Sequence, residues 1–165
     1  MRRRKVGIPV AISLFVVIFS LLGCEKSSLD QQMEELCKKD GGVKVYETVT
    51  LPPEMFDRWG DPFPGWRSRS QEDRLGLGYR YVVETTYLKK GDPLKGEGRL
   101  DRTVEKIIRM SDGKLLGESI SYGRSGGDFL PFAHPTSKSC PVYKDDSEGL
   151  IKSVFVKGGD KNAND

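Results

Sequence analysis

The 165-residue chain has one histidine, His134, and three cysteines, Cys24, Cys37 and Cys140, no two of them close in sequence. Zinc is held by four clustered thiolate or imidazole ligands, so neither a metal nor another cofactor is expected. A single histidine restricts any Ser-His or Cys-His mechanism to that residue. It lies in Phe132-Ala133-His134-Pro135, a loop-like stretch where a lone histidine reads as a surface or packing group, so the chain is not expected to be an enzyme. Neither sign of charge dominates, with 27 Lys or Arg against 24 Asp or Glu and a net +3, and nucleic-acid binding has no support. No internal repeat is visible. The 19 Gly and 9 Pro follow no period, which favours many turns and argues against a helical bundle. The length suits one domain.

Long apolar runs are absent with one exception. Arg2, Arg3, Arg4 and Lys5 precede Val6 to Leu22, which carries no charge and is interrupted only by Gly7, Pro9, Ser13 and Ser20. A basic block followed by an apolar run is the layout of an export signal. The run is slightly short for a spanning helix, which takes about 20 apolar residues, so a plain signal anchor is the competing reading. Its end decides between them. Leu21-Leu22-Gly23-Cys24 resembles the bacterial lipobox, in which a small residue precedes a cysteine that receives a diacylglycerol before cleavage on its amino side.

That resemblance covers residues 1–24 and implies processing, not an activity. It makes 1–23 a signal peptide and Cys24 the acylated first residue of the mature chain, held on a bilayer by several acyl chains at roughly 0.8 kcal/mol per buried methylene. Residue 25 is Glu and not the Asp associated with inner-membrane retention, so the resemblance implies the outer membrane, facing the periplasm. Cleavage removes four basic side chains and no acidic one, leaving 23 against 24, so the apparent basicity belongs to the signal. The stretch Cys37 to Leu51, with Asp40-Gly41-Gly42-Val43-Lys44-Val45-Tyr46, is similar to small proteobacterial lipoproteins and carries no activity across. With Cys24 lipidated, Cys37 and Cys140 remain. An oxidising periplasm favours pairing them over leaving two separately buried thiols. Closing so long a loop contributes roughly 4–5 kcal/mol in the chain-entropy picture.

Residues 24–27 read as a short tether. Ser28-Leu29-Asp30-Gln31 fits a capping box, and Leu29, Met33, Leu36 and Cys37 recur at helical spacing, with Lys38 and Lys39 in the last turn and Gly41 as the left-handed terminator. Val43, Val45, Val49 and Leu51 alternate as a single strand, Leu77 to Lys90 as a second, and a last strand is expected over Leu150 to Val156. Residues 101 to 123 form a hairpin around Ser111-Asp112-Gly113. A three-residue loop with a bulge sets Met110 opposite Lys114, then Ile108 with Leu116, Lys106 with Glu118, Val104 with Ile120 and Arg102 with Tyr122. A two-residue loop would set Ile107 against Glu118 and Glu105 against Ile120, mismatching both pairs. The expected fold is α+β over 28–157: one short N-terminal helix followed by an antiparallel sheet of about five strands, then a disordered polar tail over 158–165.

Two segments remain for function. Gly123-Arg124-Ser125-Gly126-Gly127-Asp128 has the composition of an anion-cradling loop, but Phe129-Leu130-Pro131 starts no helix, so a plain loop between strands is expected. Trp59-Gly60-Asp61-Pro62-Phe63-Pro64-Gly65-Trp66 is the most distinctive stretch. Its rings either fold over the sheet as core or form a contact surface in which Trp59, Phe63, Trp66 and Arg67 meet an envelope protein or glycan. The functional expectation is a non-catalytic binding or structural protein of the cell envelope. The alternative is an inhibitor or exclusion factor acting on an envelope enzyme or receptor.

Overall fold

The computed structural model describes residues 24–71, 73–128, 134–141 and 146–159. Residues 1–23, read above as an export signal, the residues just before His134 and the tail from 160 onward lie outside the described residues. Helix α1 spans Cys24–Asp40, and α2 spans Asp146–Val154. The strands are β1 (Gly42–Val45), β2 (Val49–Leu51), β3 (Tyr79–Lys89), β4 (Arg99–Arg109), β5 (Leu115–Ser125), β6 (Ser137–Cys140) and β7 (Phe155–Lys157).

Strands β3, β4 and β5 form an antiparallel meander. Two short strands share the free edge of β5: β1 pairs with Gly117–Ile120, and β6 pairs with Tyr122–Ser125, both antiparallel. The result is the expected five-stranded antiparallel sheet behind a leading helix, with a second helix that the sequence reading did not place. The hairpin pairs Arg102 with Tyr122, Val104 with Ile120 and Lys106 with Glu118, as the side-chain argument predicts. Near the turn the register differs. Ile108 faces Leu115, and Arg109 N–H donates to the Lys114 carbonyl at 2.9 Å, so the loop is Met110 to Gly113 and the irregularity sits at Leu116. Asp112 sets this geometry by accepting from the Arg109 guanidinium (2.7 and 3.0 Å) and from Lys114 N–H (3.1 Å).

The alternation from Val43 to Leu51 breaks into two strands. Tyr46 N–H and Glu47 N–H both donate to the carbonyl of Leu116, which turns the chain out of the main sheet at the bulge. Strand β2 then pairs with β7 in parallel as a separate ribbon. The strand expected over Leu150 to Val156 is instead the end of α2 followed by three residues of β7. Leu150, Ile151 and Val154 are completely buried at i, i+1 and i+4, a spacing that serves a helix as well as a short apolar run serves a strand. At the other end, α1 includes Cys24 to Ser27, so the segment read as a tether is helical. Ser28 is an interior residue that accepts from Gln32 Nε2 at 3.2 Å and caps nothing. Positive φ falls on Gly42 and not on Gly41, whose lack of a Cβ instead makes room for the Cys37 carbonyl and sulfur.

Side chains alternate across β4 and β5, which separates the core into two clusters on opposite faces of the sheet. On one face Leu29, Met33 and Cys37 of α1 pack on Leu100, Val104, Ile120 and Tyr122. Cys37 is bonded to Cys140 with Cα atoms 5.9 Å apart, so the expected disulfide ties α1 to β6. On the other face Leu150, Ile151 and Val154 of α2, Phe155, and Phe63, Trp66 and Leu75 from the 52–78 segment pack on Tyr81, Ile107 and Leu116. Gly117 is the seat of α2: a Cβ there would stand 2.8 Å from Val154 Cγ2.

Candidate contact surface

The 52–78 segment is built from turns, and its aromatic residues divide into two classes. Phe63 and Trp66 are buried at 5% and 3% exposure, whereas Trp59 is 69% exposed. Phe63 adopts φ +55°, a strained value for a residue with a Cβ. Its N–H donates to the Met55 carbonyl at 2.7 Å, and its ring stands edge-on to Phe155 with centroids 4.8 Å apart, which holds it there. The guanidinium carbons of Arg67 and Arg74 lie 5.4 and 5.5 Å from the Trp66 ring. Arg74 also covers Tyr81, whose phenol is pushed up by burial and then by the Glu105 carboxylate.

Trp59 projects from a turn locked on both sides. The Asp57 carboxylate accepts from Trp59 N–H (2.8 Å) and Asp61 N–H (2.9 Å), Asp57 N–H donates to the Asp61 carbonyl (2.9 Å), and Phe56 bridges Pro62. Arg58 lies over the indole at 3.9 Å, a cation–π contact that covers one ring face. Beneath the turn Asp61, 4% exposed, receives Arg67 (2.6 Å) on one oxygen and Lys152 of α2 (2.6 Å) on the other. Asp57, Trp59, Asp61, Trp66, Arg67 and Lys152 line an open cleft of about 540 Å³. A second recess, of about 440 Å³, adjoins the other side of the segment, where Leu77 and Met110 stand in solvent. Of the four residues singled out in the sequence, then, only Trp59 and Arg67 reach the surface. Phe63 and Trp66 belong to the core, packed in one cluster with Leu75, Tyr81 and Phe155 on that face of the sheet.

His134 is exposed, and no three metal-ligating side chains cluster among the described residues. No described helix is long and apolar enough to cross a membrane.

Of the stretch read as a loop between strands, Gly123 to Ser125 are the end of β5, and with Gly126 to Asp128 they form a polar clamp that sequence reasoning missed. Arg124 is 2% exposed and donates to Asp30 of α1 (2.8 Å), to the carbonyls of Gly126 (3.2 Å) and Thr136 (2.8 Å), and to Thr136 Oγ1 (2.8 Å). Thr136 Oγ1 passes a hydrogen bond on to Asp128 (2.7 Å), which also accepts from Thr136 N–H (2.7 Å) and from Lys26 of α1 (2.8 Å). Lys26 first, and then Thr136, hold the Asp128 carboxyl far below its usual range. Further along α1, Asp40 accepts from Tyr122 OH (2.6 Å) and Arg102 (3.2 Å), and its carboxyl is lowered chiefly by the tyrosine bond. Glu34 pairs with Lys138 at 2.5 Å, and Glu25 pairs with Lys89. The sequence signal for this is faint: acidic residues at several turns of one helix and basic partners scattered over four strands.

No protein family, curated protein or solved structure matches this chain, so its functional reading rests on its own residues.

Proposed function

We propose that this chain is a lipoprotein of the outer membrane, held at its periplasmic face by acylated Cys24. Its task is to contact another envelope component, protein or glycan, without catalysis. The observation that carries the contact role is Trp59: a large aromatic ring 69% exposed on a turn whose backbone is already fixed. Such a group gains contact area without a large ordering cost, which is how aromatic anchors work in interfaces. Exposed Leu77 and Met110 beside the second recess extend the apolar surface of the same end. The single histidine, out in solvent, supports the non-catalytic part of the reading.

The rigidity of the turn also favours a narrower version, an inhibitor or exclusion factor that inserts Trp59 into the cleft of an envelope enzyme or receptor. Crosslinking in intact envelopes, comparing wild type with Trp59→Ala, tests both. Partners retained in wild type and lost in Trp59→Ala support the contact role, and identical partners in the two samples overturn it. A captured enzyme that is inhibited by the purified protein selects the narrower version. Anchoring is tested separately: the intact mass of the membrane fraction carries the acyl chains on Cys24, and a Cys24→Ala chain that is still acylated, or unprocessed and equally membrane-bound, overturns the lipoprotein reading.

A further inference from the structure

The start of α1 carries a consequence for how the domain sits. A lipid on Cys24 is attached to the first residue of a helix, with no linker between anchor and fold. The two residues that follow are fixed to the body. Glu25 pairs with Lys89 at the end of β3 and faces Gly98 N–H, and Lys26 pairs with Asp128. The backbone packs as closely. A Cβ on Gly98 would meet Leu29 Cδ1 at 2.3 Å, one on Gly127 would meet Lys26 at 3.4 Å, and one on Gly126 would meet Pro93 at 2.9 Å. The anchor point is thus surrounded by the end of β3, the turn Pro93–Lys95 and the loop Gly126–Asp128.

Two apolar side chains stand in solvent at this end. Leu94, at the tip of the Pro93–Lys95 turn, is 78% exposed, and Leu88, at the irregularity in β3, is 47% exposed. Most of the charges around them are matched, Lys89 by Glu25, Lys26 by Asp128 and Lys95 by Asp92, with Lys90 exposed beside them. An end that is apolar at its tips and nearly neutral suits a phospholipid surface without calling on anionic headgroups. Acyl chains on Cys24 would draw that surface toward the bilayer.

We infer that the Leu88 and Leu94 end of the domain lies directly on the bilayer, so that anchor and fold together fix one orientation. This rests on acylation at Cys24. Its structural consequence is that the Tyr79 end of β3, beside which the aromatic segment packs, points away from the membrane. Ten steps of about 3.3 Å along the eleven strand residues put roughly 33 Å between the two ends.

The test uses the acylated protein extracted from membranes and reconstituted into phosphatidylethanolamine and phosphatidylglycerol vesicles. A nitroxide is placed at Leu94→Cys in one sample and at Met110→Cys in another, and accessibility to oxygen and to a water-soluble nickel chelate is compared. The expected result is an oxygen-to-nickel ratio several-fold higher at 94 than at 110, unchanged by raised salt and lowered by Leu88→Ser. Water-like ratios at both positions on a protein whose mass shows the acyl chains overturn the orientation and leave the lipoprotein reading standing. A mass without acyl chains overturns both. A contact that dissolves in salt overturns the neutral-surface argument.

Discussion

The two faces of the five-stranded sheet are covered by different physical means. On the α1 face the apolar cluster is small, and the helix is held by a disulfide, a buried arginine and four carboxylate pairs spread along its length. On the α2 face a larger cluster of Phe155, Phe63, Trp66 and aliphatic side chains covers the sheet, and α2 itself is tied through Lys152 to the buried carboxylate of Asp61. Under the proposed anchor at Cys24, the difference bears on function as well as stability. A helix that transmits the position of an anchor must not slide, and directional bonds between named atoms prevent sliding better than apolar contact, which tolerates small shifts at little loss. The aromatic face needs only to hold one turn out.

The largest expected effect that separates the faces is loss of the disulfide. Cys37 and Cys140 are 103 residues apart, so a Cys37→Ala/Cys140→Ala chain is expected to lose about 4–5 kcal/mol in urea denaturation. Hydrogen exchange should then place the first opening in α1. Protection lost first in α2 would reverse the comparison. Next comes Phe155→Ala, which removes a ring 1% exposed from between Phe63 and Tyr79 and should destabilise by about 3–4 kcal/mol, with the disulfide intact and α1 still protected. Arg124→Met should follow at about 2–3 kcal/mol, because Asp30 keeps some water when its partner is removed.

Acid should act mainly on the α1 face. Asp128 and Asp40 are depressed in the folded protein, by Lys26 and by Tyr122 respectively, while an unfolded aspartate titrates near about 3.9. A depressed carboxylate contributes stability that is complete above the unfolded value and is lost as pH falls through the folded one. Exchange protection of α1 should therefore be constant down to about pH 5 and fall below about pH 4. Asp112, lowered to about 2 by Arg109, titrates in the same range but sits on an exposed hairpin tip, where its protonation should matter little to the core. The smallest stability effect is expected for Trp59→Ala, within about 0.5 kcal/mol, since the ring is in solvent and its turn is held by Asp57. A large loss there would move Trp59 from the contact surface to the structural side.

The parts of this fold that could be read in advance were those decided by neighbours in sequence or by simple counting. Leu29, Met33 and Cys37 declare a helix because four-residue spacing puts them on one face. The Val104–Ile120 and Lys106–Glu118 pairs declare a register because the alternatives oppose apolar to charged groups. Cys37 and Cys140 could be paired in advance because the lipobox resemblance sets Cys24 aside and leaves two cysteines. What failed was ambiguous locally. Leu150, Ile151 and Val154 fit strand or helix until Gly117, lacking a side chain, offers α2 a seat. Val43 to Leu51 alternates throughout, yet the Leu116 carbonyl takes two N–H groups and bends it. Phe63, Trp66 and Trp59 look equivalent in sequence, and only the uncovered sheet face decides which rings go in.

The sequence alone determined the leading helix and the antiparallel pairing of β4 with β5, because periodicity and side-chain opposition are properties of the linear chain, and the pairing of Cys37 with Cys140 followed once the lipobox resemblance set Cys24 aside. It also carries the whole case for the lipid anchor. The tertiary structure decided that α1 already includes Cys24 and that Arg124, Asp30, Asp128 and Lys26 form one clamp, since those four residues are separated by up to 102 positions and meet only after the sheet has formed. It decided the fate of the aromatics for the same reason: burial belongs to the surface a side chain lands on, and that surface comes from elsewhere in the chain.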